Sequence, residues 1–213
     1  MFPPGLAALI TASEFNHIFK GGIYVNDFPT SKITINNVAV SVSEISGVIT
    51  TISNFYPQEF YYIDTDDREY VSAEMNAFFI YFLAELSCKK INPPSAKTFA
   101  GTVMYHTEWV KIAETLNIPV WPIHTINAKA VNNELSQADS FYSCTVIGEL
   151  ITGEKPAEEI CRYTRSLQQK LELPYLSCYF AERTAGEYYL TDIQSIPDIS
   201  IAANREAIVN YFS

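Results

Sequence analysis

Three histidines, four cysteines and many hydroxyl side chains are the residues of this 213-residue chain that could carry chemistry. Their spacing argues against most of it. His17, His106 and His124 lie far apart, with no carboxylate or cysteine at ligand spacing, so a histidine-centred metal or catalytic site would need the fold to assemble it. Cys88, Cys144, Cys161 and Cys178 show neither a CxxC nor a CxH spacing. That removes a zinc finger and a disulfide framework, and leaves reduced thiols that pack as small apolar groups. No serine stands in a GxSxG or SxxK context that would activate it. Gly21-Gly22 reads as a turn, without the glycine-rich loop that cradles phosphate. Lys89 and Lys90 form the one adjacent basic pair, and at the end of a helix they complement its dipole. Phe78, Phe79 and Phe82 form the core stripe of a helix; a base-stacking platform would need basic neighbours, and theirs are acidic.

Composition narrows the function classes further. With 48% apolar and 18% charged residues the chain can build one sizeable core or two small ones and is not disordered. A formal charge of -10 repels phosphates at long range, which argues against non-specific binding to nucleic acid or anionic lipid. No apolar run approaches the roughly eighteen residues needed to span a bilayer. The N-terminal sequence MFPPGLAALITASEF has no basic residues ahead of a secretory apolar stretch, so a cytoplasmic protein is expected.

The elements that must position any site follow from periodicity. Gly22–Val25, Lys32–Ile35 and the β-branched run Gly47–Ile52 are expected strands, the last of the kind buried in a parallel sheet. From Asp66 the period becomes helical, with Val71, Met75, Phe78, Phe79, Phe82 and Leu86 on one side and acidic residues at the start. Ile91 closes a short strand before Pro93-Pro94 stops regular structure. A second helix is expected over Thr102–Leu116, burying Val103, Trp109, Val110, Ala113 and Leu116, with Asn117 as its left-handed cap. The polar stretch 127–139 marks a boundary between two units. Beyond it come a strand Tyr142–Ile147, a hairpin partner at Leu150-Ile151 and a helix started by Pro156 with Ile160, Tyr163, Leu167 and Leu171 inside. Strands Leu176–Ala181 and Tyr188–Ile193, joined by a tight turn, and a helix Ala203–Phe212 complete the chain.

Two stretches resemble parts of one family. The run DREYVSAE from Asp67, the aromatic helix after it, INPP from Ile91 and EWVKIAETLNIPVWP from Glu108 resemble the N-terminal part of ATP-grasp ligases. Within that superfamily the resemblance is to the group that modifies ribosomal peptides, as in microviridin-type maturation, and to glutathione synthetase relatives. YSCTVIGE from Tyr142, LPYLSCYF from Leu173 and GEYYLTDIQSIP from Gly186 resemble the second ATP-grasp subdomain and its closing strands. The resemblance implies an α/β fold: a pre-ATP-grasp-like α/β domain over 1–122, built on a mostly parallel sheet, a polar linker over 123–141, and a remnant α+β ATP-grasp subdomain over 142–213 lacking the lid.

The same resemblance shows where the family's chemistry would fail. ATP-grasp ligases hold a nucleotide between two subdomains, with lysines on its phosphates and magnesium on acidic and amide ligands, to form an acyl phosphate with its charge neutralised. Between Pro122 and Tyr142 there is no room for the lid and its lysines; Lys129 stands alone, and a single lysine in a polar linker is a solvated one. His106 lies near a position that often carries lysine. Ser143 stands where the family tends to place arginine, and Tyr179 where it places an acid. Asp192 and Gln194 are what remains of the acidic-then-amide metal pair, and strand alternation puts them on one face. Two ligands, one neutral, make a weak magnesium site without ATP oxygens, so a surface Asp and Gln on a sheet is the favoured reading.

The function expected is therefore that of a non-catalytic ATP-grasp-like protein, without ATP or magnesium, acting as a binding or partner subunit in peptide modification. Its partner would be a second copy in a homodimer, an active ligase or a peptide. Two alternatives stay open: an ATP-dependent carboxylate-amine ligase with a reduced or shared site that uses ATP and Mg2+, and a small-molecule binding module.

Overall fold

The structure, a computed structural model, describes residues 7–19, 22–95, 98–102, 104–122, 138–153 and 157–213. The chain divides into two compact units, one of residues 1–102 with 212–213 and one of residues 103–211. The unit boundary thus lies ahead of the position expected at 122. Trp109, Ala113 and Ile118 explain the difference, because they join the same apolar cluster as Cys144, Leu176 and Phe180 of the second unit. Of the expected linker, residues 123–137 with Lys129 and His124 lie outside the described residues, and Ser140 and Phe141 already belong to a strand.

The first unit is built around helix α2 (Arg68–Glu85), which follows a short helical turn α1 (Ala12–Phe15) in chain order. α2 forms where the three- and four-residue spacing predicts it. Phe79, Phe82 and Leu83 are buried, and Phe15 meets Phe79 edge to face with centroids 5.0 Å apart. Ser72, buried on the same helix, donates to the Phe55 carbonyl at 2.6 Å. At the far end the Lys90 ammonium donates to the Leu86 carbonyl, the interaction with a helix terminus that its position implied.

The mostly parallel sheet expected here is replaced by two separate pairs. β1 (Lys32–Ile35) and β2 (Val38–Ser41) form an antiparallel hairpin, and β3 (Gly47–Ile49) and β4 (Lys89–Ile91) form a parallel pair. The hairpin turns at Asn36 and Asn37, both with positive φ (50° and 63°), a conformation that asparagine tolerates and two-residue hairpins require. The strand expected at Gly22–Val25 does not form. The Tyr24 amide donates to Ser31 Oγ at 3.0 Å, and Val25–Thr30, which contains Pro29, coils into 3-10 turns that leave no ladder of donors.

The second unit is a four-stranded antiparallel sheet in the order β6-β5-β7-β8: β5 (Ser140–Ile147), β6 (Leu150–Thr152), β7 (Tyr175–Thr184) and β8 (Glu187–Gln194). Cys144, Leu176, Cys178, Phe180 and Leu190 cluster on one face with Trp109 and Ala113 of helix α3 (His106–Thr115) and Ile160 and Leu167 of helix α4 (Glu158–Leu171). α4 ends at Glu172, in the left-handed conformation. The final helix, α5 (Ala202–Phe212), buries Asn204, Ala207 and Ile208. Asn204 accepts from Thr152 Oγ1 at 2.7 Å and donates to the Asp198 carbonyl at 3.1 Å. Among the described residues no helix is long and apolar enough to cross a membrane.

Candidate functional site

The candidate site lies on the sheet face of the second unit opposite the apolar cluster, and the strand register assembles it. Ser143 on β5 stands directly across from Tyr179 on β7, and Tyr179 stands directly across from Asp192 on β8. Three of the four residues on which the sequence argument turned therefore form one row across three strands. The next row is Thr145, Ser177 and Gln194.

A β-bulge makes this possible. Tyr179 pairs with Asp192 and Phe180 with Leu190, so Thr191 is the extra residue, and its hydroxyl donates to the Tyr179 carbonyl at 3.0 Å. Strict alternation would put Asp192 on the same side as Leu190, in the core. Because the bulge resets the alternation, Leu190 and Ile193 pack in the apolar cluster while Asp192 and Gln194 are exposed. Their common face, expected from the sequence, is what the structure shows. The bulge was not legible, since nothing in Leu190-Thr191-Asp192 distinguishes it from a regular strand.

The polar groups of this face are largely committed to one another. The Tyr179 hydroxyl donates to Gln194 Oε1 at 2.9 Å, occupying the amide oxygen that a metal would need. Burial, followed by the nearby Tyr175 and acidic groups, raises the Tyr179 pKa, so the phenol keeps its proton at neutral pH and remains a donor. Asp192 Oδ1 accepts from the Ile193 amide at 2.9 Å. Further along, Thr145 Oγ1 and Ser177 Oγ lie 2.7 Å apart, and Tyr175 Oη and Ser177 Oγ 2.6 Å apart, in a buried chain of hydroxyls. Toward the other end the face is aromatic: Phe141 is 63% exposed, and Tyr189, which pairs with Ala181, meets Trp121 edge to face at 5.7 Å. The alternation of Phe141, Ser143 and Thr145 against buried Cys144 and Val146 was the signal that could have located this face.

Within these two rows a cation would meet the Asp192 carboxylate and an amide oxygen already in a hydrogen bond. Among the described residues no group of three His, Cys, Asp or Glu side chains could hold a metal ion. His17 lies against Tyr62 in the first unit and His106 against Trp109 in the second. Cys144 and Cys178 are paired across β5 and β7 on the core face. Burial pushes the Cys144 thiol up to about 12 and raises Cys178 as well, which makes both poor nucleophiles.

No known protein family and no curated protein matches the sequence. Solved structures do match. The macrocyclase MdnC of Microcystis aeruginosa MRC, bound with the precursor peptide MdnA, aligns over 95% of this chain and 89% of its own with a TM-score of 0.65 at 12% identity. The fold is that of ATP-grasp ligases. A RiPP-associated ATP-grasp ligase of Chryseobacterium gregarium, in complex with ADP and a leader and core peptide, aligns over 85% of this chain and 80% of its own (TM-score 0.58, 11% identity). The macrocyclase MdnB of Microcystis aeruginosa MRC aligns over 85% and 76% (TM-score 0.54, 14% identity). On this ATP-grasp fold, the row Ser143, Tyr179 and Asp192 carries a single formal charge.

Proposed function

We propose that this chain is a non-catalytic ATP-grasp-like protein that works in peptide modification by binding a peptide or a partner protein, without ATP or magnesium. The observation that carries this reading is the Tyr179 hydroxyl donating to Gln194 Oε1 beside Asp192. A neutral phenol stands in the row where the resemblance places an acid, and it ties up the amide oxygen beside the last carboxylate. Magnesium is commonly held by one or two carboxylates together with substrate phosphates and waters; here one acid position is a phenol, and the neighbouring amide oxygen is already in a hydrogen bond. The reading includes a nucleotide-clamping region reduced to the stretch between Pro122 and the strand that starts at Ser140.

Peptide binding is favoured over a nucleotide by what the face offers. Exposed Phe141, half-buried Tyr189 and Tyr179 give aromatic area with hydroxyl handles, the kind of surface on which extended peptides and protein partners dock. Of the structural neighbours described above, MdnC is bound to a precursor peptide and the Chryseobacterium ligase to a leader and core peptide together with ADP. A second copy is the other partner consistent with this reading; such a dimer would bury on the order of 1,600 Å² in total. The test pairs two readouts on the full chain, fluorescence anisotropy with labelled precursor peptides and release of ADP from ATP. Saturable peptide binding with no ADP release is expected. Peptide-stimulated ADP release would reject the non-catalytic reading.

A further inference from the structure

In the first unit, two buried polar residues, each with a side-chain atom that lacks a hydrogen-bond partner among the described residues, follow directly on two paired strands. Thr50 is 3% and Asn92 2% exposed, and among the described residues neither Thr50 Oγ1 nor Asn92 Nδ2 has a hydrogen-bond partner. They are the first residues beyond the C-terminal ends of β3 and β4. Ile49 pairs with Ile91 in parallel register, and the Thr50 amide still donates to the Ile91 carbonyl at 3.0 Å. Asn92 then turns into the left-handed region with φ 56°. Gly101 lies against it so closely that a Cβ there would come within 2.7 Å of the Asn92 Cβ. Ser95 Oγ fixes that approach by donating to the Gly101 carbonyl at 2.8 Å.

Burying a hydroxyl and an amide N–H in adjacent positions without partners forfeits their hydration twice over, a cost native structures avoid by placing an ordered molecule between such groups. The chemistry of the two groups defines the occupant. Asn92 Nδ2 can only donate, whereas Thr50 Oγ1 can donate or accept, so the occupant must present an acceptor oxygen to the amide and either function to the hydroxyl. An anion is disfavoured, because a hydroxyl and an amide supply no counter-charge for a buried negative group. Both groups are closed off from solvent, so the occupant is small.

We propose that one internal water bridges Thr50 Oγ1 and Asn92 Nδ2, joining the C-terminal ends of β3 and β4. The ends of parallel strands are where open α/β sheets receive ligands. Here that position is filled by solvent. The inference stands apart from the proposed function, because it concerns the first unit alone.

A crystal structure at about 1.8 Å or better, with a parallel bromide soak, reads the site directly. The expected result is a single water peak within hydrogen-bond distance of both atoms and no anomalous bromide signal there. A bromide peak would make it an anion site. A direct Thr50–Asn92 hydrogen bond or an empty gap would show it dry, and either result would overturn the proposal.

A double-mutant cycle gives a second reading in solution. Thr50→Val keeps the shape, and Asn92→Gly keeps the positive φ accessible. If a shared water couples the two groups, the unfolding constant of the double variant should depart from the product of the single effects by about threefold or more. Agreement with the product to within about twofold would overturn the bridge. Thr50→Ser, which retains the hydroxyl, should retain the coupling.

Discussion

If Tyr179 is what disables the cation position, Tyr179→Glu should restore it. Residue 179 faces Asp192 directly across β7 and β8, a pairing that sets Cβ atoms about 4.5–5.5 Å apart. Two carboxylates at about 5 Å in a watery environment repel by about 0.8 kcal/mol. Losing the Tyr179–Gln194 hydrogen bond of 2.9 Å adds about 0.5–1.5 kcal/mol, so the variant should be about 1–2 kcal/mol less stable without metal. The same change frees Gln194 Oε1 and brings three oxygen ligands together. At ten times its dissociation constant a divalent cation would then return about 1.4 kcal/mol, which for a chain of this size is a rise of about 3–6 °C in melting temperature. The assay is thermal unfolding in 10 mM manganese or magnesium against EDTA. The wild type and Tyr179→Phe should not respond, and Tyr179→Glu should. An equal upward shift in the wild type, or none in Tyr179→Glu, would refute the argument.

Three further outcomes follow from packing and burial. Leu167, fully buried under the sheet from α4, should cost about 2–5 kcal/mol as Leu167→Ala, read as a lower denaturation midpoint with an unchanged slope. Gly101 and Gly186 share φ +86°, but a Cβ at 101 would sit 2.8 Å from the Asn92 Cα while one at 186 meets nothing within 4 Å. Gly101→Ala should therefore destabilise more than Gly186→Ala, which carries only the conformational strain of about 1 kcal/mol, and equal losses in denaturant melts would contradict this. Cys144 has its folded pKa raised from 9.0 to about 12 by burial. Its contribution to stability is thus complete below pH 9 and lost as pH rises toward 12. In native protein at pH 8, iodoacetamide followed by mass spectrometry should leave Cys144 and Cys178 unmodified until the chain is unfolded.

The sequence disclosed the elements whose signals are local. The stripe from Val71 to Leu86, the αL cap at Asn117, the hairpin through Gly148 and the acidic start of α4 are each decided within a turn or two of chain, and each is present. Pairing between distant segments was less legible. Gly47–Ile52 has the composition of a buried parallel strand, yet only Gly47–Ile49 pairs, because the chain then leaves the ladder and the Phe55 amide is taken by Asn76 Oδ1 at 2.9 Å. The Asn36-Asn37 turn between two apolar runs was a readable hairpin signal that the expectation passed over. In the site, the resemblance to ATP-grasp ligases implied that Ser143, Tyr179, Asp192 and Gln194 belonged together, but their alignment in rows depends on register and on the Thr191 bulge, which no local pattern encodes.

The central claim is that an ATP-grasp fold here has parted from nucleotide chemistry, and calorimetric titration of the whole chain with ATP in excess magnesium tests it most directly. The account predicts heats indistinguishable from dilution up to millimolar ATP, where a dissociation constant of 1 mM would correspond to about 4.1 kcal/mol of binding. A saturable isotherm with one ATP per chain, lost on removing magnesium, would contradict it.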